Sequence, residues 1–411
     1  MRILMVSEDI PAEAMGGLGR HVLALTRALA ADGHQVDLMG NDDAPSAALE
    51  AELPSGSQFY PELHGQFEGW KEMSLGVFMP PKRHILARRF AQAMLRRGHG
   101  YEVIHYHGHL PNVARHIPAQ VNFIQTRHDQ GSDCLIHTRF RRGAICTEIS
   151  PQHCAGCRSW QPNLLQTYIT TLAVKHFRHE VMQGFKRHKT VFVSDLLQRN
   201  LERSFGAGPW GVTIHNFIDA AELSSARSKA THRPALPHSE LRVFIAAKLY
   251  PAKGVESLLT ALMPRMETAL HITVAGDGAD EAHLRQCFPQ VNFLGWQSSA
   301  DTLRMTARAD AVVVPSVCEE ACPSTVLEAL LLGKTVFALR LGGTPELASY
   351  ASGPDQLRLH DSMAELAEAL LAFRPRADYP QPAATAAHAS QAAGRLLALY
   401  RLPPGAIATS L

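Results

Sequence analysis

The chain has 411 residues, 46% of them hydrophobic and 19% charged, with a formal net charge of +2. That length suits two domains of ordinary size, and the composition is that of an ordinary soluble chain and excludes a disordered one. No run approaches the roughly 18 continuous apolar residues of a membrane span. The start, MRILMVSEDI, is too short an apolar run for a secretory leader. A cytosolic protein is expected, and its seven cysteines should be thiols, metal ligands or core residues rather than disulfides.

In chain order, short apolar runs alternate with amphipathic helical stretches, the pattern of a parallel α/β sheet. RILMVS predicts a first strand. GGLGRHVLALTRALAADG predicts a glycine loop feeding a helix, with Val22, Leu25 and Leu29 on one face and Gly33 at the C′ place. HQVDLMG, VIHYHG (103–108), VNFIQTRHD (121–129), TVFVS (190–194) and VTIHNF (212–217) follow as strands. His105, His107 and His109 alternate as strand residues do and read as strand-end histidines rather than metal ligands.

The polar stretch 219–240 reads as an interdomain connection, after which the alternation restarts. RVFIAAKL, HITVAGDG, VNFLGW, DAVVVPS and TVFALRLGG predict five more strands. The expected division is 1–218, 219–385 and a terminal segment 386–411 whose helix returns to the first domain. Two such α/β halves bind ligands at the carboxyl ends of their strands, and a cleft between the halves is the expected place.

The chemistry concentrates in CEEACPSTVLEALLLGK (318–334). Pro323 suits the first position of a helix, and Cys322 before it is a poor cap, so the amides of Ser324 and Thr325 lack an internal acceptor. Such an end at a sheet's carboxyl edge is suited to a phosphate. Glu328 lies about 7.5 Å farther along the helix axis, where its carboxylate can take the hydroxyls of a ribose. Glu320, on the loop side, can take those of a sugar. Polyol, diphosphate and polyol make a nucleotide-sugar.

This stretch resembles the E-x7-E signature of retaining glycosyltransferases of the GT-B fold, family 4 (glycosyl transferases group 1). KLYPAKG (248–254) resembles that family's donor-phosphate segment, with Lys248 where Arg is more usual and then Lys253; lysine lacks arginine's bidentate fork. VAGDG, FLGW, VVVPS, LEALLLGK and GGTPE (342–346) resemble further blocks of the nucleotide-binding half. GGLGRHV (16–22) resembles the glycine loop by which Gly16 and Gly17 admit the donor phosphate, and QTRHD the segment whose histidine, here His128, lies by the transferred sugar. VSDLLQRNL (193–201) and IHNFID (214–219) resemble the segments leading out of the first half. Ala321 stands where Gly or Pro is usual, and Cys322 where an aromatic or small residue is common.

The resemblance implies two Rossmann-like domains facing across a cleft, and transfer of a sugar from a nucleotide-diphosphate donor to an acceptor hydroxyl. It assigns His128, Glu320 and Lys253 to catalysis. Gly16, Gly17, Lys248, Lys253, Trp296, Glu320, Ser324, Thr325 and Glu328 fall to the donor, with Trp296 near the base. Lysines and helix amides stabilise the leaving diphosphate electrostatically, so catalysis calls for no cofactor. A glycan or lipid-linked acceptor in cell-surface polysaccharide or glycolipid synthesis is the expected setting, with no nucleic-acid partner. Alternatives are a nucleotide-sugar epimerase or hydrolase on the same fold, and a binding subunit with a dead site.

Two further features stand apart. Cys134, Cys146, Cys154 and Cys157 have the spacing C-x11-C-x7-C-x2-C, which suits a structural zinc site, with His137 and His153 as alternative ligands; free thiols or a redox pair at Cys154 and Cys157 fit the same spacing. Residues 71–200 carry 19 Lys/Arg against 7 Asp/Glu. Within them, 80–100 predicts a basic amphipathic helix with Ile85, Leu86, Phe90 and Met94 toward one side. It reads either as packed on the sheet with solvated arginines outside or as a dock for an anionic membrane on the cytoplasmic face.

Overall fold

The RILMV run becomes strand β1 (Arg2–Val6), in which Ile3, Leu4, Met5 and Val6 are fully buried. A run buried on both faces is what a parallel sheet covered by helices requires. The computed structural model describes residues 1–10, 16–42, 46–63, 80–157, 164–230, 240–263, 270–374 and 387–406. The chain divides into two compact units. One comprises Met1–Arg139, Cys146–His215 and Ala389–Leu411, the other Asn216–His388 with the short segment Phe140–Ile145.

In the first unit β1 is followed by α1 (Gly17–Ala31), β2 (Gln35–Asn41), α2 (Ala47–Glu52), β3 (Phe59–Leu63), α3 (Pro80–Arg97), β4 (Val103–His107) and β5 (Phe123–Arg127). Between β5 and the next helix the chain passes through the two-residue strands β6 (Phe140–Arg141) and β7 (Ala144–Ile145), which belong to the second unit and pair with each other. Then come α4 (Pro151–Ala155), α5 (Leu164–Phe185), β8 (Lys189–Phe192), α6 (Asp195–Phe205) and β9 (Val212–Thr213). The sheet runs β3-β2-β1-β4-β5-β8-β9, all parallel. Gly33 ends α1 at φ +83°, and the amides of Gly33 and His34 return to Ala30 and Leu29, the two bonds of a Schellman motif.

The second unit holds α7 (Ala220–Ala230), β10 (Leu241–Ala246), α8 (Val255–Leu262), β11 (Leu270–Ala275), α9 (Glu281–Cys287), β12 (Asn292–Phe293), α10 (Ser299–Arg308), β13 (Ala311–Val314), α11 (Ser324–Leu331), β14 (Thr335–Leu339), β15 (Leu357–His360) and α12 (Met363–Leu371). Its sheet runs β12-β11-β10-β13-β14-β15, again all parallel. Each sheet reverses its winding once, between β1 and β4 and between β10 and β13. Such switch points open a crevice at the strands' carboxyl ends.

The stretch 219–240 is not a plain connection. Its first half is α7, which buries Leu223 and Ala226, packs on α10, and places the Arg227 guanidinium on the Leu331 carbonyl. Residues 231–239 lie outside the described residues. The last helix, α13 (Ala389–Arg401), packs on α1 of the first unit. Buried Lys189 fastens its end: Nζ donates to Asn122 Oδ1 at 2.7 Å, Leu399 O at 2.9 Å and Leu402 O at 2.6 Å. An ammonium has three donors, and here all three are used.

On α3, Leu86, Phe90 and Met94 are buried with Ala87 and Ala91, but Ile85 is 41% exposed. Ile85 and Leu86 are neighbours, and the step between them is about 100° on a helix, enough to leave the packed stripe.

Candidate active site

At the switch point of the second sheet, the chain leaving β10 forms a turn at Pro251–Lys253 and reaches α8 through Gly254. Gly254 has φ +66°, and a Cβ there would lie 2.1 Å from the Pro315 carbonyl oxygen. Only glycine permits so close an approach. The Val317 amide closes the contact on Ala252 O at 3.0 Å. The segment after β10 is thereby locked against the segment after β13.

The lock brings two predicted residues together from 67 positions apart. Lys253 Nζ forms a close ion pair with Glu320 Oε1, which also accepts from Ser316 Oγ at 2.8 Å. Burial works against the Lys253 charge, but the Glu320 carboxylate outweighs it, and the pKa rises above the ordinary lysine value. The backbone of Glu320 is held in turn: Gly343 N donates to its carbonyl at 2.8 Å, and a Cβ on Gly342 (φ +64°) would lie 2.7 Å from that oxygen.

Helix α11 begins one residue later than its sequence suggests. Pro323 is the N-cap, not the first helical residue, and offers no side-chain acceptor. Its extended ψ of 109° reflects the carbonyl's task of receiving the amides of Val326 and Leu327. The amides of Ser324 and Thr325 belong to the first turn, where helices have no internal acceptor. Glu328 is on the same helix but only 2% exposed. Lys248 is well exposed and pairs with Asp277 Oδ1 at 3.0 Å. Trp296, 48% exposed, follows β12 at the sheet edge. Cys322 anchors the start of the unit: Asn216 N donates to its sulfur at 3.3 Å and Asn216 Nδ2 to its carbonyl at 2.8 Å. Burial pushes its thiol up to about 12.

In the first unit Gly16 caps α1 without a side chain, and a Cβ at Gly16 or Gly17 would meet nothing within 4 Å. Packing within the protein therefore does not require glycine at either place. His128 follows β5, and its Nε2 lies 3.1 Å from Nδ1 of His107 at the end of β4. The ring of His21, from α1, stands edge-on to His128 with centroids 4.6 Å apart. Burial lowers all three, His21 to about 3, so this cluster is uncharged at neutral pH.

A charged network that the sequence did not reveal lies beside it. His109 bridges two carboxylates, Asp129 Oδ2 at 2.9 Å and Asp9 Oδ1 at 3.1 Å. Burial opposes protonation of His109, yet these two bonds raise its pKa well above the ordinary value. Asp129 also accepts from Gly131 N at 2.7 Å and from His137 Nδ1 at 3.1 Å. Burial alone would raise its carboxyl; the two histidines hold it well below the usual range instead. Of its members, the sequence singled out His109 as a strand-end histidine and Asp129 within QTRHD; Asp9 comes from the loop after β1. The Lys253–Glu320 pair lies in the second unit and the His21, His107 and His128 cluster in the first.

The four cysteines of 134–157 line one small cavity with His153, Asp133, Arg139 and Arg178. None of the four is in a disulfide, and Arg178 Nη2 lies 3.3 Å from Cys154 Sγ. Burial pushes Cys134 up to about 11. The loop bearing them holds three non-glycine residues at positive φ, His137, Arg139 and Arg142. Such conformations persist only where surroundings over-determine them. Arg139 is so fixed, ion-paired to buried Asp133, which also takes the Ser204 hydroxyl.

The Glycosyltransferase Family 4 profile matches residues 15–222 and the Glycosyl transferases group 1 profile residues 240–373. Glycogen synthase of Mycobacterium tuberculosis is 26% identical over 367 residues, 84% of this chain and 80% of its own length. Among solved structures, sucrose-phosphate synthase from Thermosynechococcus elongatus matches with TM-score 0.61 at 19% identity, over 97% of this chain and 94% of its own. Anabaena HepE in complex with UDP-glucose matches with TM-score 0.52 at 17% identity, covering 98% and 97%. With two parallel Rossmann-like sheets and a family profile spanning half its length, the chain belongs to glycosyltransferase family 4 and has the GT-B fold.

Proposed function

We propose that this glycosyltransferase moves a hexose from a nucleotide-diphosphate sugar to an acceptor hydroxyl with retention at the anomeric carbon. The observation that carries the reading is the Lys253–Glu320 pair, set between the two strands of the β10/β13 switch point and followed by the uncapped start of α11. Cleavage of the C1–O bond leaves negative charge on the diphosphate. Lys253, Lys248 and the amides of Ser324 and Thr325 neutralise it, and preorganised charge of this kind is usually the largest catalytic contribution. Glu320 accepts from hydroxyls of the transferred sugar and Glu328 from those of the ribose; Trp296 lies toward the base. Gly16 and Gly17 give the donor phosphate close access to backbone. The acceptor attacks from the leaving-group side, and its proton passes to the departing phosphate oxygen. His128, kept neutral, hydrogen-bonds the sugar rather than acting as an acid. That HepE was solved with UDP-glucose supports the donor class.

The test is thermal denaturation with UDP-, GDP-, ADP- and dTDP-sugars, wild type beside Lys253→Ala. One nucleotide class should raise the wild-type melting temperature, and the variant should lose the effect. No shift with any donor would favour a binding subunit with a dead site. Donor consumed as fast without acceptor as with it would favour a hydrolase or epimerase.

We propose further that Cys134, Cys146, Cys154 and Cys157 hold one structural zinc. They share a cavity, and binding would draw their sulfurs together and ionise them. Protein purified without added metal should carry one thiolate-bound zinc per chain. A fully folded chain with all four thiols open to titration would end this assignment.

Peripheral docking on an anionic membrane, where a lipid-linked acceptor would reside, is the third element of the proposal. No helix among the described residues is long and apolar enough to cross a membrane. However, Leu164, Leu165, Tyr168, Ile169 and Leu172 form an exposed apolar stripe on α5, which packs beside basic α3. An exposed apolar stripe together with a basic helix suits an anionic bilayer. The full chain should sediment with phosphatidylglycerol vesicles and not with phosphatidylcholine ones, and Leu165→Asp with Ile169→Asp should abolish this. Equal sedimentation of the double variant would refute it.

A further inference from the structure

Glu180 stands in the C-terminal third of α5 with its side chain 6% exposed. A buried carboxylate must be compensated by hydrogen bonds or positive charge. Its Oε2 accepts from Asn112 Nδ2 at 3.1 Å. Its Oε1 is faced by three imidazole nitrogens: His84 Nδ1 at 2.7 Å, His116 Nε2 at 3.7 Å and His176 Nε2 at 3.7 Å. They come from α3, from the 3-10 helix Pro111–His116 and from α5 itself, one turn before Glu180. The rings gather closely, with His84 5.0 Å from His116 and 5.9 Å from His176 between centroids.

Simple ion pairing does not account for this arrangement. Nε2 of His116 is buried and makes no hydrogen bond, and 3.7 Å is too long for one. A shared cation explains the spacing. Metal–nitrogen and metal–oxygen bonds of about 2.0–2.1 Å in a tetrahedron set ligand atoms ~3.4 Å apart, and the three distances to Oε1 bracket that value. Ligand atoms of His84, His116 and Glu180 already lie within 4.8 Å of one another; His176 lies outside that group and joins it by turning its exposed ring inward. His176 and Glu180 share a helix face at i and i+4, the spacing that presents paired metal ligands from one helix.

We propose that His84, His116, His176 and Glu180 form a closed site for a divalent transition cation of the zinc class, pinning α3 and the Pro111–His116 turn to α5. Three imidazoles and a carboxylate suit zinc, cobalt, nickel or copper rather than calcium or magnesium. Four protein ligands leave no open position, so the role is structural. Asn112 orients the carboxylate from outside, as the partners of ligating groups do. None of these residues belongs to the sugar-transfer machinery or to the cysteine cavity.

The test uses the full chain, stripped with chelator and titrated with zinc and, separately, with cobalt. His84→Ala/His176→Ala is the first variant, because both side chains reach solvent and their loss should leave the fold intact by circular dichroism. His116→Gln is the second. Wild type should bind one more zinc per chain than either variant. The wild-type-minus-variant cobalt spectrum should show d–d bands of a tetrahedral ion without thiolate-to-cobalt charge transfer, which separates this site from the cysteines. Equal zinc uptake by wild type and both folded variants would overturn the proposal. So would a difference spectrum dominated by thiolate charge transfer.

Discussion

Lys253→Ala is expected to lower kcat about 10²–10³-fold, the usual loss when one group stabilising a developing anion is removed. The group removed is the cation held at the β10/β13 switch point, and its loss has two effects. The diphosphate leaves without its nearest point charge, and Glu320 keeps only the Ser316 hydroxyl on Oε1. Because both side chains of the pair remain about a fifth exposed, the uncompensated carboxylate is partly hydrated. Its effect on folding should stay well below the 3–5 kcal/mol typical of a fully buried broken pair. The expected signature is a catalytic defect in a chain that melts nearly as wild type. Adding Glu320→Gln should then restore stability but not turnover, because the sugar-binding carboxylate is gone as well. Initial rates with the donor that stabilises the protein, beside melting curves, decide the matter. A wild-type kcat for Lys253→Ala would remove Lys253 from the mechanism.

The interior strands were legible because they are short continuous apolar runs, and a run buried on both faces announces itself without any partner. The edges were not. β3 carries Pro61 and β15 reads LRLH, and each closes a sheet at one side. A strand with one neighbour tolerates proline and polar residues, so its pattern fades into that of a loop. α7 was hidden by its Ser- and Ala-rich composition, since only Leu223 and Ala226 among its residues are buried. The E-x7-E stretch and KLYPAKG were visible as separate pieces, but the Lys253–Glu320 pair was not, because it depends on a contact between two loops. The His109 bridge from Asp9 to Asp129 spans 100 and 20 positions. Local periodicity carries no information about such pairings. Burial of Glu328 likewise depends on what covers α11, which no window of sequence contains.

Gly254→Ala should do about as much damage to turnover as Lys253→Ala while removing no reactive group. At φ +66° an L-residue bears roughly 1–2 kcal/mol of strain. The new Cβ would also stand 2.1 Å from Pro315 O, a backbone atom that cannot turn aside as a side chain would. The segment after β10 must therefore lift from the segment after β13, breaking the Val317 N to Ala252 O bond and drawing Lys253 away from Glu320. Strain and lost contact together should destabilise by about 2–4 kcal/mol, so melting and turnover should fall together, unlike in Lys253→Ala. Gly17→Ala is the matched control. A Cβ there meets nothing within 4 Å and Gly17 has no positive φ, so melting should not change. If backbone at Gly17 must approach the donor's phosphates, donor affinity alone should drop. A Gly254→Ala chain with wild-type melting and turnover would show that the two loops need not touch, and the positioning role assigned to Gly254 would be lost.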